Sequence, residues 1–223
     1  MAVRPEVIPF LIAAVILCGI LAAVLRISRV SWTKALLYSG VVEIVLCLYL
    51  LYFFRDPVRT APADPATIVA GAEGKVMGVV EVDEPIYLKG RAVRISIFLS
   101  LIDVHVNRAP ISGRVESAAY FPGARYFTFQ EKSSELNQHS AIFIRGGEVD
   151  CLVKQIVGPV ARRVVYWLEQ GQELKKGDPI GMMKFGSRLD MYLPAGKVDV
   201  AVKQGDKVRA GETVVARLKP AKE

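Results

Sequence analysis

Two long apolar stretches at the N-terminus constrain this chain more than any other feature. Val7 to Leu25 runs for 19 residues without a charge. A helix rising about 1.5 Å per residue over that length crosses a hydrocarbon core. Ala35 to Phe54 follows with one acid, Glu43, and the nine residues between the stretches hold Arg26, Arg29 and Lys34. A cleavable signal peptide competes for the first stretch, but two stretches in tandem argue for a retained anchor. The expectation is a transmembrane helical hairpin, helices 7–25 and 35–54, within residues 1–59. Glu43 is costly at membrane depth, so it either faces the partner helix or marks a hairpin too shallow to cross fully. Charge does not orient the pair, because Arg4, Arg55 and Arg59 at its outer ends match the basic residues of the turn.

Residues 60–65 (TAPADP) form a linker, and 66–223 then have the size of one domain with a single core. Of three cysteines, only Cys151 falls in that domain, which excludes a disulfide framework. One cysteine and two histidines, His105 and His139, also leave too few ligands for a structural zinc, so no metal site is expected. The net charge is +7, with +3 in residues 1–59 and +4 in the remainder (23 basic, 19 acidic). This modest excess suits an anionic lipid surface. It does not suit nucleic acid, since no basic run is interleaved with aromatics.

Beyond the linker, short alternating runs recur between turn signals and predict strands at 75–82, 93–99, 113–119, 141–144, 160–168, 189–193, 198–202 and 213–218. Glu131 to His139 is the one stretch that reads as helix, with His139 on the surface near its end. Gln170–Ile180 is echoed 34 residues later by Gln204–Val214, each copy framing a turn with two glycines six apart. These turns resemble those of lipoyl and biotinyl carrier domains. The fold class is therefore mainly β (α+β): a sandwich or flattened barrel with lipoyl/biotinyl-like turns, a pseudo-two-fold core and a preceding helical hairpin. Met182-Met183-Lys184 beside such a turn supports an alternative function, a membrane-anchored carrier or adaptor, although Phe185 stands where the carrier motif has a second methionine.

The chemistry centres on Met183-Lys184-Phe185-Gly186-Ser187-Arg188. A Gly-Ser bond in a tight turn can rearrange, because the hydroxyl can attack the preceding carbonyl and glycine tolerates the angles required. The resulting ester eliminates to dehydroalanine, which hydrolyses to a pyruvoyl group. Other motifs precede it in order: Phe53-Phe54-Arg55-Asp56-Pro57 after the anchor, the run Phe98 to Pro110 with Asp103 and His105, Glu135-Leu136-Asn137, Gln155 to Gly158, and Ala161-Arg162-Arg163. Together they identify the chain as similar to phosphatidylserine decarboxylases of the short, membrane-anchored bacterial and archaeal type.

That resemblance implies a lyase of phospholipid biosynthesis, made as a zymogen that cuts itself between Gly186 and Ser187. Residues 1–186 become a β subunit and 187–223 an α subunit, held as a heterodimer, with a covalent pyruvoyl cofactor derived from Ser187. The ketone forms a Schiff base with phosphatidylserine and draws off the charge left by departing carbon dioxide, giving phosphatidylethanolamine. Asp103 carries over as orienter or base. His105, two residues on and on the same side of a strand, is the candidate for base or proton donor. Arg188, Arg162 and Asn137 are the candidate substrate-binding residues, the arginines because guanidinium suits carboxylate and phosphate. The inner membrane with a cytoplasm-facing domain is implied, and a homo-oligomer is left open. A signal-peptidase-like Ser/Lys pair, Ser96 or Ser100 with Lys154, fits on spacing alone and lacks flanking signatures.

Overall fold

The structure is a computed structural model and describes residues 2–124, 126, 128, 136–158, 164–184 and 187–220. Arg162, Gly186, Phe185 and most of the expected helix at 131–139 lie outside the described residues. The chain divides into two compact units, Met1–Val58 and Arg59–Glu223.

The first unit holds β1 (Ala2–Val3), a 3-10 turn at Pro5–Val7, α1 (Ile8–Ile27), α2 (Trp32–Phe53) and β2 (Arg55–Asp56), with β1 and β2 antiparallel. Segments Pro5–Ile27 and Trp32–Phe53 are long and apolar enough to cross a membrane. The turn between them closes α1 with paired bonds, Val30 N–H to Leu25 O (3.1 Å) and Arg29 N–H to Arg26 O (3.0 Å), and Arg29 sits at φ 65°. The helices pack through small residues: Ala14, Cys18 and Ala22 on α1, Ala35 and Ser39 on α2. Small side chains let backbones approach where there is no hydrophobic drive between helices. Glu43 is half-buried, four residues from Ser39 on the same stripe of α2. Ile12, Ile16, Leu36 and Val45, by contrast, are more than half exposed. An apolar surface this continuous belongs against lipid or a partner.

The second unit holds β3 (Thr67–Val69), β4 (Gly74–Glu84), β5 (Gly90–Leu99), β6 (Val106–Arg108), β7 (Gly113–Phe121), β8 (His139–Arg145), β9 (Cys151–Val157), β10 (Val164–Tyr166), β11 (Glu173–Leu174), β12 (Pro179–Met183), β13 (Ser187–Pro194), β14 (Val198–Val200), β15 (Lys207–Val208) and β16 (Val214–Leu218). The unit is mainly β. Its large sheet runs β11-β7-β8-β9-β13-β5-β4-β15, and two small sheets run β10-β12-β6 and β14-β16-β3. The orders correspond about the β9–β13 junction, β8 answering β5, β7 answering β4 and β11 answering β15, with the two small sheets answering each other. Even a register shift recurs, Val76/Gly78 in one half and Val115/Ser117 in the other.

The sequence repeat is the local signature of this pseudo-two-fold. Gly171 and Gly205 have φ 90° and 98°, and Gly177 and Gly211 have φ 90° and 75°, conformations glycine adopts at little cost. Gly171 N–H donates to Val115 O and Gly205 N–H to Val76 O, at 2.8 and 2.9 Å. Gly177 and Gly211 bond Ala109 O and Ala70 O in the same way.

Seven of the eight expected strands overlap observed ones over most of their length. In the eighth, 160–168, strand structure covers Val164–Tyr166, and 160–163 lie outside the described residues. The expectation missed β9, a central strand. Its sequence CLVKQIV does not alternate because it is buried on both faces. His139 is also placed differently from its surface expectation. It opens β8, half-buried and stacked on Phe121 at 5.0 Å.

The large sheet has two unlike faces. Ile95, Ile97, Leu99, Val153, Leu189 and Met191 point into the main core, here the inner face. The outer face carries a smaller cluster of Ala92, Ala141, Phe143, Leu152 and Tyr192 under Val82, Tyr87 and Leu88. Each large apolar side chain so buried contributes about 1.5–3 kcal/mol.

Candidate active site

Ser187 is the first residue of β13 and lies directly between Leu99 of β5 and Val157 of β9. By strand alternation it shares the inner face with Leu189 and Met191. It is fully buried, and its Oγ has no hydrogen-bond partner among the described residues. A buried hydroxyl left without a partner costs about 1–3 kcal/mol.

The segment after Leu99 turns sharply. Asp103 Oδ2 accepts from Ser100 N–H (2.7 Å) and Ser100 Oγ–H (2.6 Å), and Asp103 N–H returns to Ser100 O. This turn aims His105, which is fully buried. His105 Nδ1 lies 2.9 Å from the backbone carbonyl of Asp103. A carbonyl only accepts, so Nδ1 carries the proton and Nε2 is the basic nitrogen. His105 O also accepts from Met183 N–H at 3.3 Å, so the strand leading to Ser187 runs alongside His105.

Other expected residues are placed differently. Arg188 points to the outer face, away from the Ser187 side chain. It is almost fully buried, donating from Nε to Asp190 (2.6 Å) and from a terminal nitrogen to Ser96 Oγ (2.8 Å). Asn137 is also buried. Its amide donates to the carbonyls of Tyr126 (2.7 Å) and Val157 (2.9 Å) and accepts from Tyr126 N–H (2.9 Å), tying a loop to the residue paired with Ser187. Ser96 and Lys154 flank Asp190 from opposite neighbouring strands, two strand spacings or about 10 Å apart, so they form no Ser/Lys pair. Met182 and Met183 are fully buried, and β12 and β13 belong to different sheets, so Lys184 is not presented on a hairpin between them.

Sequence reasoning missed a pocket at this end of the sheet. About 610 Å³ in volume, it is lined by Ser100 and Asp103 from the turn, Glu73 and Lys75 from the start of β4, Phe98, and Lys207 and Arg209 around β15. Glu73 accepts from Val104 N–H (3.3 Å) and pairs with Arg59. Gly74 has φ 150°, and a side chain there would run into the carbonyl oxygen of Phe98. The run Glu73-Gly74-Lys75 was thus the available signal, a glycine fixing close approach between two charges. Among the described residues, no group of three or more His, Cys, Asp or Glu side chains gathers as a metal site.

The statistical model of the phosphatidylserine decarboxylase family matches residues 46–216, which span both the Asp103–His105 turn and Ser187. The chain belongs to the phosphatidylserine decarboxylase family. It is 46% identical over 182 residues to a phosphatidylserine decarboxylase proenzyme of Carboxydothermus hydrogenoformans, covering 82% of this chain and 85% of that one. To the proenzyme of Salinibacter ruber it is 45% identical, over 84% and 85% of the two chains. The proenzyme of Desulfotalea psychrophila is 36% identical over 218 residues, 97% of this chain and 96% of that one. The enzyme decarboxylates phosphatidylserine, and the buried serine at the head of β13 falls within the matched region.

Proposed function

We propose that the chain is a self-cutting precursor whose electrophile comes from Ser187. The observation that carries this reading is the idle, fully buried Ser187 Oγ beside a strand held against His105. His105 Nε2 takes the hydroxyl proton as Oγ bonds to the Gly186 carbonyl carbon. The Gly186–Ser187 C–N bond breaks, the freed amine takes a proton and an ester remains. Loss of the Ser187 Cα proton expels the Gly186 carboxylate, and water then displaces ammonia to leave a pyruvoyl group at residue 187. That group supplies a carbonyl electron sink for the charge left by departing carbon dioxide.

The remaining roles fall to side chains and strands. Asp103 closes the turn that aims His105, an orienting role. Lys75, Lys207 and Arg209 give the pocket the positive charge that a phosphate and a carboxylate require. Fragments 1–186 and 187–223 stay together as a heterodimer because β13 is paired along eight residues with β5 and along six with β9. The two N-terminal helices anchor the enzyme in the inner membrane with the catalytic unit facing the cytoplasm, next to its lipid substrate. Arg188, bonded within the outer face, secures the start of β13.

Intact-mass measurement of the purified chain beside Ser187→Ala tests the reading. The wild type is expected as two fragments dividing after residue 186, the smaller blocked at its N-terminus, and Ser187→Ala as one inactive chain. An uncut, active wild type would sink it.

A further inference from the structure

A second idle polar atom meets the inner face of the large sheet from β6. Asn107 is fully buried, and its Nδ2 has no partner among the described residues. Its Oδ1 is engaged: Gln155 Nε2 donates to it at 2.7 Å, and Gln155 Oε1 accepts from Ser140 Oγ–H at 2.7 Å. Ser140 and Gln155 are fully buried as well. With the Gln155 carbonyl on Ser140 and its amide on Asn107, the relay presets the Asn107 amide so that its N–H donors point onward.

Strand pairing brings Asn107 into the neighbourhood of Ser187. Gln155 is paired with Leu189, so Ser187, two residues back on the same face, lies on the diagonal at about 7–8 Å. Asn107 is paired with Gly181 of β12, the strand that leads to the cut. A side chain at Gly181 would run into the Val165 carbonyl oxygen first and would also approach Gln155 Nε2 to 2.9 Å, so glycine is needed where β10 and the relay both crowd β12. Asn107 is also two residues beyond His105 and turned to the same side of the extended chain.

We infer that Asn107 is a further catalytic residue of self-cleavage, its amide donating to the carbonyl oxygen that turns negative when Ser187 Oγ attacks. Gln155 and Ser140 are positioning residues that hold it. The inference rests on the self-cleavage reading. A preset donor at a developing oxyanion is worth about 10²–10³ in rate, and the desolvated inner face strengthens it.

The test follows the appearance of fragment 187–223 by intact mass after synthesis of the full chain with detergent or lipid. Wild type, Asn107→Leu, Asn107→Asp and Ser140→Ala are compared. Uncut wild type would refute the underlying reading and leave Asn107 no step to serve. With the wild type cut, Asn107→Leu is expected to slow cleavage roughly 10²–10³-fold. Asn107→Asp keeps an acceptor for Gln155 but loses the donor. Its deficit against wild type at the same pH should shrink as the pH falls and the carboxyl becomes a donor, a response that a packing role would not give. Wild-type cleavage rates in both Asn107 variants would overturn the inference. Where either fails to fold, Ser140→Ala decides: cleavage several-fold slower supports the relay, and an unchanged rate overturns it.

Discussion

The two faces of β13 treat their polar groups in opposite ways. On the outer face, Arg188 donates to both Asp190 and Ser96 within a setting that is almost fully buried. On the inner face Ser187 Oγ, and opposite that face on β6 Asn107 Nδ2, are equally buried and have no hydrogen-bond partner among the described residues. On the self-cleavage reading proposed above, the second set is held open for a reacting group.

The largest test of that division is the buried ion pair. In the uncut Ser187→Ala chain, Asp190→Ala leaves the Arg188 guanidinium buried without its carboxylate and is expected to cost about 3–5 kcal/mol, read from denaturant unfolding. The pair Arg188→Met with Asp190→Leu removes both charges and should recover most of that loss. Ser187→Ala itself discards an unsatisfied hydroxyl and should be neutral or stabilising against any uncut reference. If Asp190→Ala proves harmless, the outer face is not a closed architectural layer. Ser96→Ala is the intermediate case. It strands one Arg188 nitrogen and should cost about 1–3 kcal/mol by the same measurement, with little effect on the extent of self-cleavage.

Legibility in the sequence followed the same division. Strands with one buried face, such as β4 and β7, alternate visibly and were found. Strand β9, buried on both faces, carries no alternation and was missed. The glycine repeat was readable because the backbone requires glycine at positive φ, whatever the surroundings. Ser187, Asp103 and His105 stood in recognisable local runs. Asn107 and Gln155 stood in the same runs without distinction, since their meaning lies in a hydrogen bond across 48 residues of chain. Adjacency to Ser187 in sequence makes Arg188 a candidate for the substrate, whereas neighbours on a strand point to opposite faces, and its bonds to Asp190 and Ser96 are visible only in the fold. Lys75, Lys207 and Arg209 gather only when β15 pairs with the start of β4.

His139 gives the smallest and most discriminating test, because it sits on the outer face without being fully enclosed. Its Nδ1 bonds Asn137 O at 2.8 Å, and its ring stacks on Phe121. Burial pushes its pKa below the ordinary histidine value and the Lys154 ammonium pushes the same way, while the Asn137 carbonyl and Asp190 pull partly back. The unfolded chain then binds a proton near pH 6.5 that the folded chain still refuses. Stability from this group is complete above that pH and is lost as the pH falls through the lowered folded value. In the uncut chain, His139→Phe should therefore show a smaller drop in melting temperature between pH 7.5 and 5 than its parent, as a modest change in slope. An identical slope would mean that the imidazolium forms freely beside Asp190, and the outer face would then be open to water at its β8 edge. That result would confine the saturated layer to Arg188, Asp190 and Ser96, and leave the inner face as the better-sealed of the two.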